Sequence, residues 1–287
     1  MPLNLQTFKT RALTAILFVV VMLGGLLWNQ WSFLLIFSII HFGCWVEYRR
    51  LVGLIDPAYQ RVAAIHVYSM MLAGWGFMLW MTDDSYSIAG YRLNALGYWL
   101  FLIATAIFLL TVILRVKKDQ PKLMAHSIMG FVYISLSWGL MMRLWGNMQQ
   151  TVFTGSNWIM PLVLIVSIWI NDTMAYIVGS FIGKTPFSAI SPKKTWEGTI
   201  GGAILTVVAV TLAGVYAFGF SAKALLLIST VAAVAGTAGD LFESKLKRLA
   251  GVKDSGRIMP GHGGFLDRFD SLLLATTVTW LLFRILY

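Results

Sequence analysis

Nine apolar runs divide this 287-residue chain, and they restrict its fold more than any other feature. A helix needs roughly 20 apolar residues to cross the ~30 Å hydrocarbon core of a bilayer, where backbone groups have no water to bond. The runs cover about residues 12–28, 31–46, 62–81, 96–114, 125–142, 158–183, 199–220, 222–239 and 271–287. We therefore predict an all-α, multi-pass integral membrane protein with about nine transmembrane helices.

Composition supports this prediction, because 58% of the residues are hydrophobic and only 12% are charged, whereas a soluble domain carries roughly 25% charged residues. The first run follows Lys9 and Arg11, as a signal peptide would. No small-residue cleavage site follows it, so we interpret it as the first membrane helix. Only Asn29 and Gln30 separate it from the second run, which predicts a tight helical hairpin.

The Lys and Arg residues indicate an orientation. If the N-terminus is cytoplasmic, 18 of the 22 basic residues fall on the inside, and the outside holds only Arg92, Arg143, Lys223 and Arg284. Cytoplasmic loops of membrane proteins carry such an excess. The distribution therefore predicts a cytoplasmic N-terminus. It also explains the net charge of +10 through topology and contact with membrane lipids, without a nucleic-acid partner.

The acidic residues divide the chain functionally. Seven of the twelve lie between Asp172 and Asp270, so the first half is expected to be poor in chemistry. We predict that residues 1–150 form lipid-facing scaffold helices. Residues 151–287 are expected to supply the membrane helices and cytoplasmic loops that carry the catalytic site.

Asp172, preceded by Asn171, lies deep in the sixth run, roughly 16 Å from its cytoplasmic end. A charge at that depth costs about 2.5–3.5 kcal/mol and is expected to face a cavity or a partner. Tyr176, Gly179 and Gly183 share its helix face, and the glycines permit close approach. The alternative interpretation is a helix–helix contact in which Asp172 is hydrogen-bonded inside the bundle.

The segment "SPKKTWEG", Ser191 to Gly198, is typical of a loop or a helix start. In an extended loop the adjacent Lys193 and Lys194 can both reach one polyanion. The alternative is that they are ordinary positive charges flanking a membrane helix. Glu197 is expected to pair with a lysine or to cap a helix.

The eighth run is followed by a polar stripe, provided that its helix continues past Asp240. Ser244, Lys247 and Arg248 would then lie on the same helix face as Asp240 and offer a hydroxyl and two cations beside a metal ligand. Glu243 and Lys247 are also spaced i, i+4, which permits an ordinary surface ion pair.

A glycine-rich polar loop joins this stripe to the last run. Lys253 lies in it, and His262 is expected to donate to a phosphate rather than act as a general base. Asp267 and Asp270, beside Arg268, share a face at the start of the last helix, where each could also be a simple cap. Carboxylates interleaved with cations indicate phosphate ligands and a hard cation such as Mg²⁺.

At these residues the chain resembles the phosphatidate cytidylyltransferase family, also called CDP-diacylglycerol synthase. The family's C-terminal pattern is matched by Ser244, Lys247, Arg248, Lys253, Asp254, His262, Gly263, Gly264, Asp267, Arg268 and Asp270. Met259 stands at a position that is usually Leu, Ile or Phe, a conservative departure. The "ND" of the sixth run and "SPKKTWEG" are also similar to family motifs, so the resemblance covers roughly residues 165–271.

The resemblance implies CMP transfer from CTP to phosphatidate, with release of pyrophosphate, in phospholipid biosynthesis. It implies a metal centre at Asp240 and Asp267 that uses Mg²⁺, with K⁺ as a candidate second ion, and a homodimer in the bacterial inner membrane with its site facing the cytoplasm. We expect catalytic roles for Asp240, Asp267, Lys247 and Asp270. The expected substrate-binding residues are Asn171, Asp172, Lys193, Lys194, Ser244, Arg248, Lys253, His262 and Arg268. The alternatives are a CTP-dependent polyprenol kinase and, in another class, an anionic-lipid transporter.

Overall fold

The computed structural model describes residues 5–114, 120–146, 153, 157–258 and 263–286, with side chains from residue 13 onward except at 120. The helices are α1 (Leu5–Leu27), α2 (Gln30–Ile55), α3 (Pro57–Gln60), α4 (Ala64–Trp80), α5 (Leu93–Leu114), α6 (Gln120–Gly130), α7 (Leu136–Trp145), α8 (Ile159–Ile182), α9 (Trp196–Phe218), α10 (Ala222–Leu249) and α11 (Leu266–Leu286). A π-helical turn, Phe131–Ser135, joins α6 to α7. A two-stranded antiparallel hairpin, β1 (Ser87–Ile88) and β2 (Tyr91–Arg92), is the only sheet in these ranges. The helical fold class is confirmed.

Seven helices within the described residues are long and apolar enough to cross a membrane. They are Gln30–Ile55, Leu93–Leu114, Pro121–Trp145, Ile159–Ile182, Trp196–Phe218, Ala222–Leu249 and Leu266–Leu286. Two shorter apolar helices, Leu13–Leu27 and Ala64–Trp80, correspond to the other two predicted spans. The protein is thus a helical membrane protein, while the count of nine and the cytoplasmic N-terminus stay predictions.

Local capping explains where several helices begin and end. The predicted hairpin between the first two runs is confirmed: Asn29 Oδ1 accepts hydrogen bonds from the amides of Trp31 and Ser32, and Ser32 Oγ accepts one from the Asn29 amide. This reciprocal arrangement satisfies amides that have no intrahelical partner. At its C-terminal end, α9 stops at Gly219, whose φ of 67° favours glycine.

The chain forms two compact units. Unit 1 contains Met1–Met142 and Leu246–Phe269, and unit 2 contains Arg143–Lys245 and Asp270–Tyr287. The segment Leu246–Phe269 therefore groups with the N-terminal helices. The functional division at residue 150 stays a prediction, since compactness alone does not test it.

Aromatic packing anchors the start of α11 within unit 1. The Phe269 ring lies 5.7 Å from that of Trp138 and 5.8 Å from that of Phe18, measured between centroids. Phe265 packs over Gly43 of α2 so closely that a Cβ there would meet its ring. These contacts fix the helix turn that carries Asp267.

Candidate active site

Unit 2 contains a cavity of about 380 Å³ between α8, the loop after it, α9 and α10. It is lined by Asn171, Asp172, Ala175, Tyr176, Gly179, Ser180, Lys193, Lys194, Thr195, Thr199, Thr237 and Asp240. Asp172, Tyr176 and Gly179 share this lining, as the helical spacing predicts. Asn171 is only 4% exposed, and its Oδ1 has no hydrogen-bond partner among the described residues. The lining of the cavity thus contains carboxylate, amide, hydroxyl and ammonium groups.

Glycines bring α8 and α9 together beside this cavity. A Cβ at Gly202 would lie 2.6 Å from the Ala175 amide nitrogen, and one at Gly198 would lie 2.7 Å from the Ala175 carbonyl oxygen. A Cβ at Gly179 would meet Thr195 Oγ1 at 3.1 Å. The predicted close approach at Gly179 is therefore confirmed, and its partner is the N-terminal turn of α9.

The loop that carries Lys193 and Lys194 is held by hydrogen bonds at both ends. Glu197 accepts from the amides of Lys184 and Thr185, each at 3.2 Å, and from the Thr185 hydroxyl at 2.8 Å. Thr195 caps α9 by accepting from the Gly198 amide at 3.1 Å. Glu197 therefore binds the backbone amide of Lys184, and the residue that caps α9 is Thr195. These hydrogen bonds hold the loop in place, and Lys193 and Lys194 line the cavity.

Three carboxylates gather in unit 2, and we call Asp240, Glu243 and Asp270 the acidic cluster. One oxygen from each lies within 4.8 Å of the others, and Glu243 is fully buried. Ser244 Oγ donates to Asp240 Oδ1 at 3.2 Å, and Lys194 forms an ion pair with Asp240 Oδ2. Hard oxygen ligands of this kind fit Mg²⁺. α10 runs unbroken past Asp240 to Leu249, as the predicted stripe requires.

Unit 1 holds a second group, which we call the Asp267 network: Asp267, Lys247, Ser255 and Glu47. Asp267 Oδ1 accepts from Lys247 Nζ at 2.7 Å. Asp267 Oδ2 accepts from the Gly264 amide at 2.8 Å, and from the Ser255 amide and hydroxyl at 2.9 Å each. Lys247 thus forms an ion pair with Asp267, and Glu243 is buried rather than on the surface where an ordinary i, i+4 pair was expected.

Glu47 was missed by the sequence analysis, which expected little chemistry in the first half. It is 8% exposed on α2 and accepts from the Ser255 hydroxyl at 2.7 Å and from the Phe265 and Leu266 amides at 2.9 Å each. Glu47 lies one residue beyond the predicted second run, residues 31–46, but α2 continues to Ile55. An acid within a membrane helix generally marks a functional position, so a longer predicted helix would have pointed to Glu47.

The remaining predicted residues lie on exposed surface or outside the described ranges. Arg248 donates to the Val252 carbonyl at 3.3 Å, and Lys253 and Arg268 are exposed. His262 and Met259 lie outside the described residues. The roles of these positions stay predictions.

A helical membrane protein that combines lysines, hydroxyls and clustered carboxylates in this way belongs to the class equipped for phosphate chemistry. The model of the cytidylyltransferase family matches residues 9–286, and the chain belongs to that family. It is therefore a nucleotidyltransferase.

Curated relatives agree with this assignment. A protein of Staphylococcus saprophyticus named phosphatidate cytidylyltransferase is 32% identical over 272 residues, which cover 92% of this chain and 95% of that protein. Proteins of the same name from Staphylococcus haemolyticus and Helicobacter pylori are each 46% identical, over 121 and 110 residues. Those matches cover 42% and 38% of this chain, and 46% and 41% of the relatives.

Proposed function

We propose that the protein transfers CMP from CTP to phosphatidate, which yields CDP-diacylglycerol and pyrophosphate for phospholipid biosynthesis. The observation that carries the proposal is the unit 2 cavity, where Lys193 and Lys194 line the same space as Asp172 and Asp240. Family membership and the full-length relative named phosphatidate cytidylyltransferase support the choice of substrates.

The proposed reaction is an in-line displacement. A phosphatidate oxygen attacks the α-phosphorus of CTP, a new P–O bond forms, and the bond to the β-phosphate bridging oxygen breaks as pyrophosphate leaves. Phosphoryl-type transfers depend chiefly on positioning and charge stabilisation. Lys193 and Lys194, fixed by the tied loop, would hold phosphate oxygens. Lys247, Arg248, Lys253, His262 and Arg268 are proposed to bind the remaining phosphate charge.

Mg²⁺ is the proposed cofactor, and K⁺ is a candidate second ion. Asp240 would hold Mg²⁺ together with Glu243 and Asp270, because their oxygens converge within one ligand sphere. Asp267 stays a proposed ligand on the basis of the family resemblance alone. A bound Mg²⁺ would neutralise charge on the phosphate oxygens. Lys194 already pairs with Asp240, so we propose that phosphate and cation binding redistribute this contact.

The site is proposed to face the cytoplasm of a bacterial inner membrane, where CTP from water can meet a lipid phosphate. After Lys223, α10 carries no charged residue until Asp240. This change from apolar to charged supports the proposal that Asp240 lies near the membrane surface. A homodimer is proposed from the family resemblance. Protease access to the Lys193 loop in sealed, oriented vesicles would test the orientation.

Purified protein in detergent, given α-labelled CTP, phosphatidate and Mg²⁺, should produce label in lipid and release pyrophosphate. A CTP-dependent polyprenol kinase would leave the α-label in soluble CDP, so retention of all label in CDP would reject the proposal. Turnover without a sealed bilayer would also separate the enzyme from an anionic-lipid transporter. Omission of Mg²⁺ with a chelator present should abolish the signal.

A further inference from the structure

Glu47 is a buried carboxylate that contacts the segment next to Asp267. An ionised side chain removed from water must be hydrogen-bonded or paired to persist. Its partners are the Ser255 hydroxyl at 2.7 Å and the amides of Phe265 and Leu266 at 2.9 Å each. These three donors belong to one segment, so Glu47 ties α2 to the loop and helix start that carry Asp267.

The two amides lie at the N-terminus of α11. Amides in the first turn of a helix have no intrahelical acceptor, and the helix dipole favours a negative charge there. Glu47 supplies both the acceptors and the charge from a different helix. Because Leu266 directly precedes Asp267, this contact fixes the backbone from which the Asp267 side chain projects.

Ser255 connects the two carboxylates. Its Oγ lies 2.7 Å from Glu47 Oε2 and 2.9 Å from Asp267 Oδ2, while its amide also donates to Asp267 Oδ2 at 2.9 Å. The hydroxyl has a single hydrogen, so Glu47 and Asp267 compete for it. A change at Glu47 therefore alters the hydrogen bonding of Asp267.

Two glycines make room for the buried carboxylate. A Cβ at either Gly256 or Gly264 would fall onto a Glu47 oxygen. The Gly264 amide also donates to Asp267 at 2.8 Å. The same backbone thus accommodates Glu47 and binds Asp267, which makes the spacing between the two groups specific.

We propose that Glu47 is a positioning residue for CMP transfer. It holds Ser255 and the first turn of α11, so that Asp267 and Lys247 keep their hydrogen-bonded arrangement during the reaction. The inference rests on the proposed function, because Asp267 and Lys247 affect the rate only if they act on the substrates.

The test compares Glu47→Gln, Ser255→Ala and the double variant. Glu47→Gln keeps the size of the side chain but replaces one acceptor oxygen with a donor. Each single variant should lower kcat at least about fivefold with KM for CTP within about twofold of wild type. Because both changes break the same link, the double variant should stay within about twofold of the slower single variant.

A matched control is His66→Gln, also in unit 1. His66 is buried and hydrogen-bonded to Thr111 and Ser127 at 2.8 and 3.2 Å. This variant should lower the melting temperature without changing kcat. Unchanged kcat in Glu47→Gln, or a double-variant loss equal to the product of the single losses, would overturn the proposal. If Glu47→Gln does not fold, normal kcat in Ser255→Ala overturns it.

Hydrogen exchange separates this inference from the proposed function. The peptide that contains Phe265 and Leu266 should exchange faster in Glu47→Gln than in wild type, whether or not the enzyme turns over. Unchanged exchange rejects the positioning contact. If the wild-type protein makes no lipid-linked CMP but the exchange difference persists, the proposed function fails while the hold of Glu47 on the helix start is supported.

Discussion

Asp267 and Asp270 lie three residues apart on α11, yet their carboxylates have different surroundings. Asp267, in unit 1, accepts four hydrogen bonds from Lys247, Ser255 and Gly264. Asp270, in unit 2, accepts from the Ser271 amide at 2.6 Å and lies with two other carboxylates, Asp240 and Glu243. Hydrogen-bond donors hold a carboxylate in place, whereas several carboxylates close together can offer their oxygens to one cation. Sequence proximity therefore conceals two different electrostatic roles.

The largest effect is expected from the acidic cluster. Asp240→Asn should reduce CMP transfer by more than about a hundredfold, because it removes a charge from the proposed cation site. The protein should still insert and purify, because asparagine keeps the size of the side chain and the Lys194–Asp240 ion pair that is lost is partly exposed to solvent. The rate is measured as lipid-linked CMP over a range of Mg²⁺ concentrations, with Asp84→Asn, at an exposed carboxylate, as the control. Near-normal activity at ordinary Mg²⁺ would remove Asp240 from the site.

Asp267→Asn should also abolish turnover, but it should destabilise the protein as well. Hydrogen bonds to a charged group contribute about 1.5–3 kcal/mol each, and the asparagine replaces an acceptor with a donor that faces donors. The melting temperature in detergent should therefore fall by about 5 °C. The decisive comparison is between the melting temperatures of Asp267→Asn and Asp240→Asn. Equal melting temperatures for the two variants would mean that the donors around Asp267 do not stabilise the fold.

Asp172→Asn tests whether the part of the cavity formed by α8 takes part in the reaction. If Asp172 only held helices together, the amide would keep a hydrogen bond and the cost would be about 1 kcal/mol or less. Since Asp172 lines the same cavity as Lys194 and Asp240, we expect a rate loss of more than about tenfold with little change in melting temperature. Rate and melting temperature are measured on one preparation. Early melting with most of the rate retained would make Asp172 structural.

Replacement of both Lys193 and Lys194 by alanine should act mainly on nucleotide binding. We expect KM for CTP to rise about tenfold, equivalent to about 1.4 kcal/mol of binding free energy. Orientation should persist, because other predicted inside loops keep their basic residues. Lys223→Ala is the control, since it lies on the predicted outside. An unchanged KM for CTP would mean that Lys193 and Lys194 are only positive charges that flank a membrane helix.

The fold class and much of the candidate site could be predicted from the sequence. Apolar runs of sufficient length specify membrane helices. Helical spacing predicted that Asp172, Tyr176, Gly179 and Gly183 share one helix face, and the first three line the cavity, whereas Gly183 lies just past the end of α8. The last helix was expected to begin near Asp267, and it begins at Leu266. These features depend on local periodicity, which the sequence displays directly.

Contacts between distant segments could not be predicted in the same way. Glu47 binds residues more than 200 positions away, and no local pattern specifies that pairing. Spacing i, i+4 allowed an ordinary surface pair between Glu243 and Lys247, but it gave no sign that Glu243 would be buried or that Lys247 would form an ion pair with Asp267. Helical spacing permits a contact, while burial and competing partners decide whether it forms.

The smallest effect is expected at Asp56, which tests whether a well-bonded carboxylate is enough to indicate catalysis. Asp56 lies between α2 and α3 in unit 1 and, like Asp267, accepts from a lysine and a backbone amide. Lys122 Nζ lies 3.0 Å away, the Ala58 amide 3.1 Å and His126 Nε2 3.3 Å. The hydrogen bond from Lys122 is the main cause that lowers the pKa of Asp56 below its ordinary value of 3.8.

A lowered folded-state pKa means that the ionised Asp56 stabilises the fold at neutral pH. This contribution is lost as the pH falls below about 4 and through the folded-state pKa, where the unfolded chain binds a proton first. Lys122 is 66% exposed, so solvent screens the pair and Asp56→Asn should lower the melting temperature by only about 2 °C at pH 7. That difference from wild type should shrink at pH 3, and kcat should be unchanged. A large rate loss in Asp56→Asn would show that hydrogen-bonded carboxylates of unit 1 affect the reaction wherever they lie, and the special position of Asp267 would then have no support.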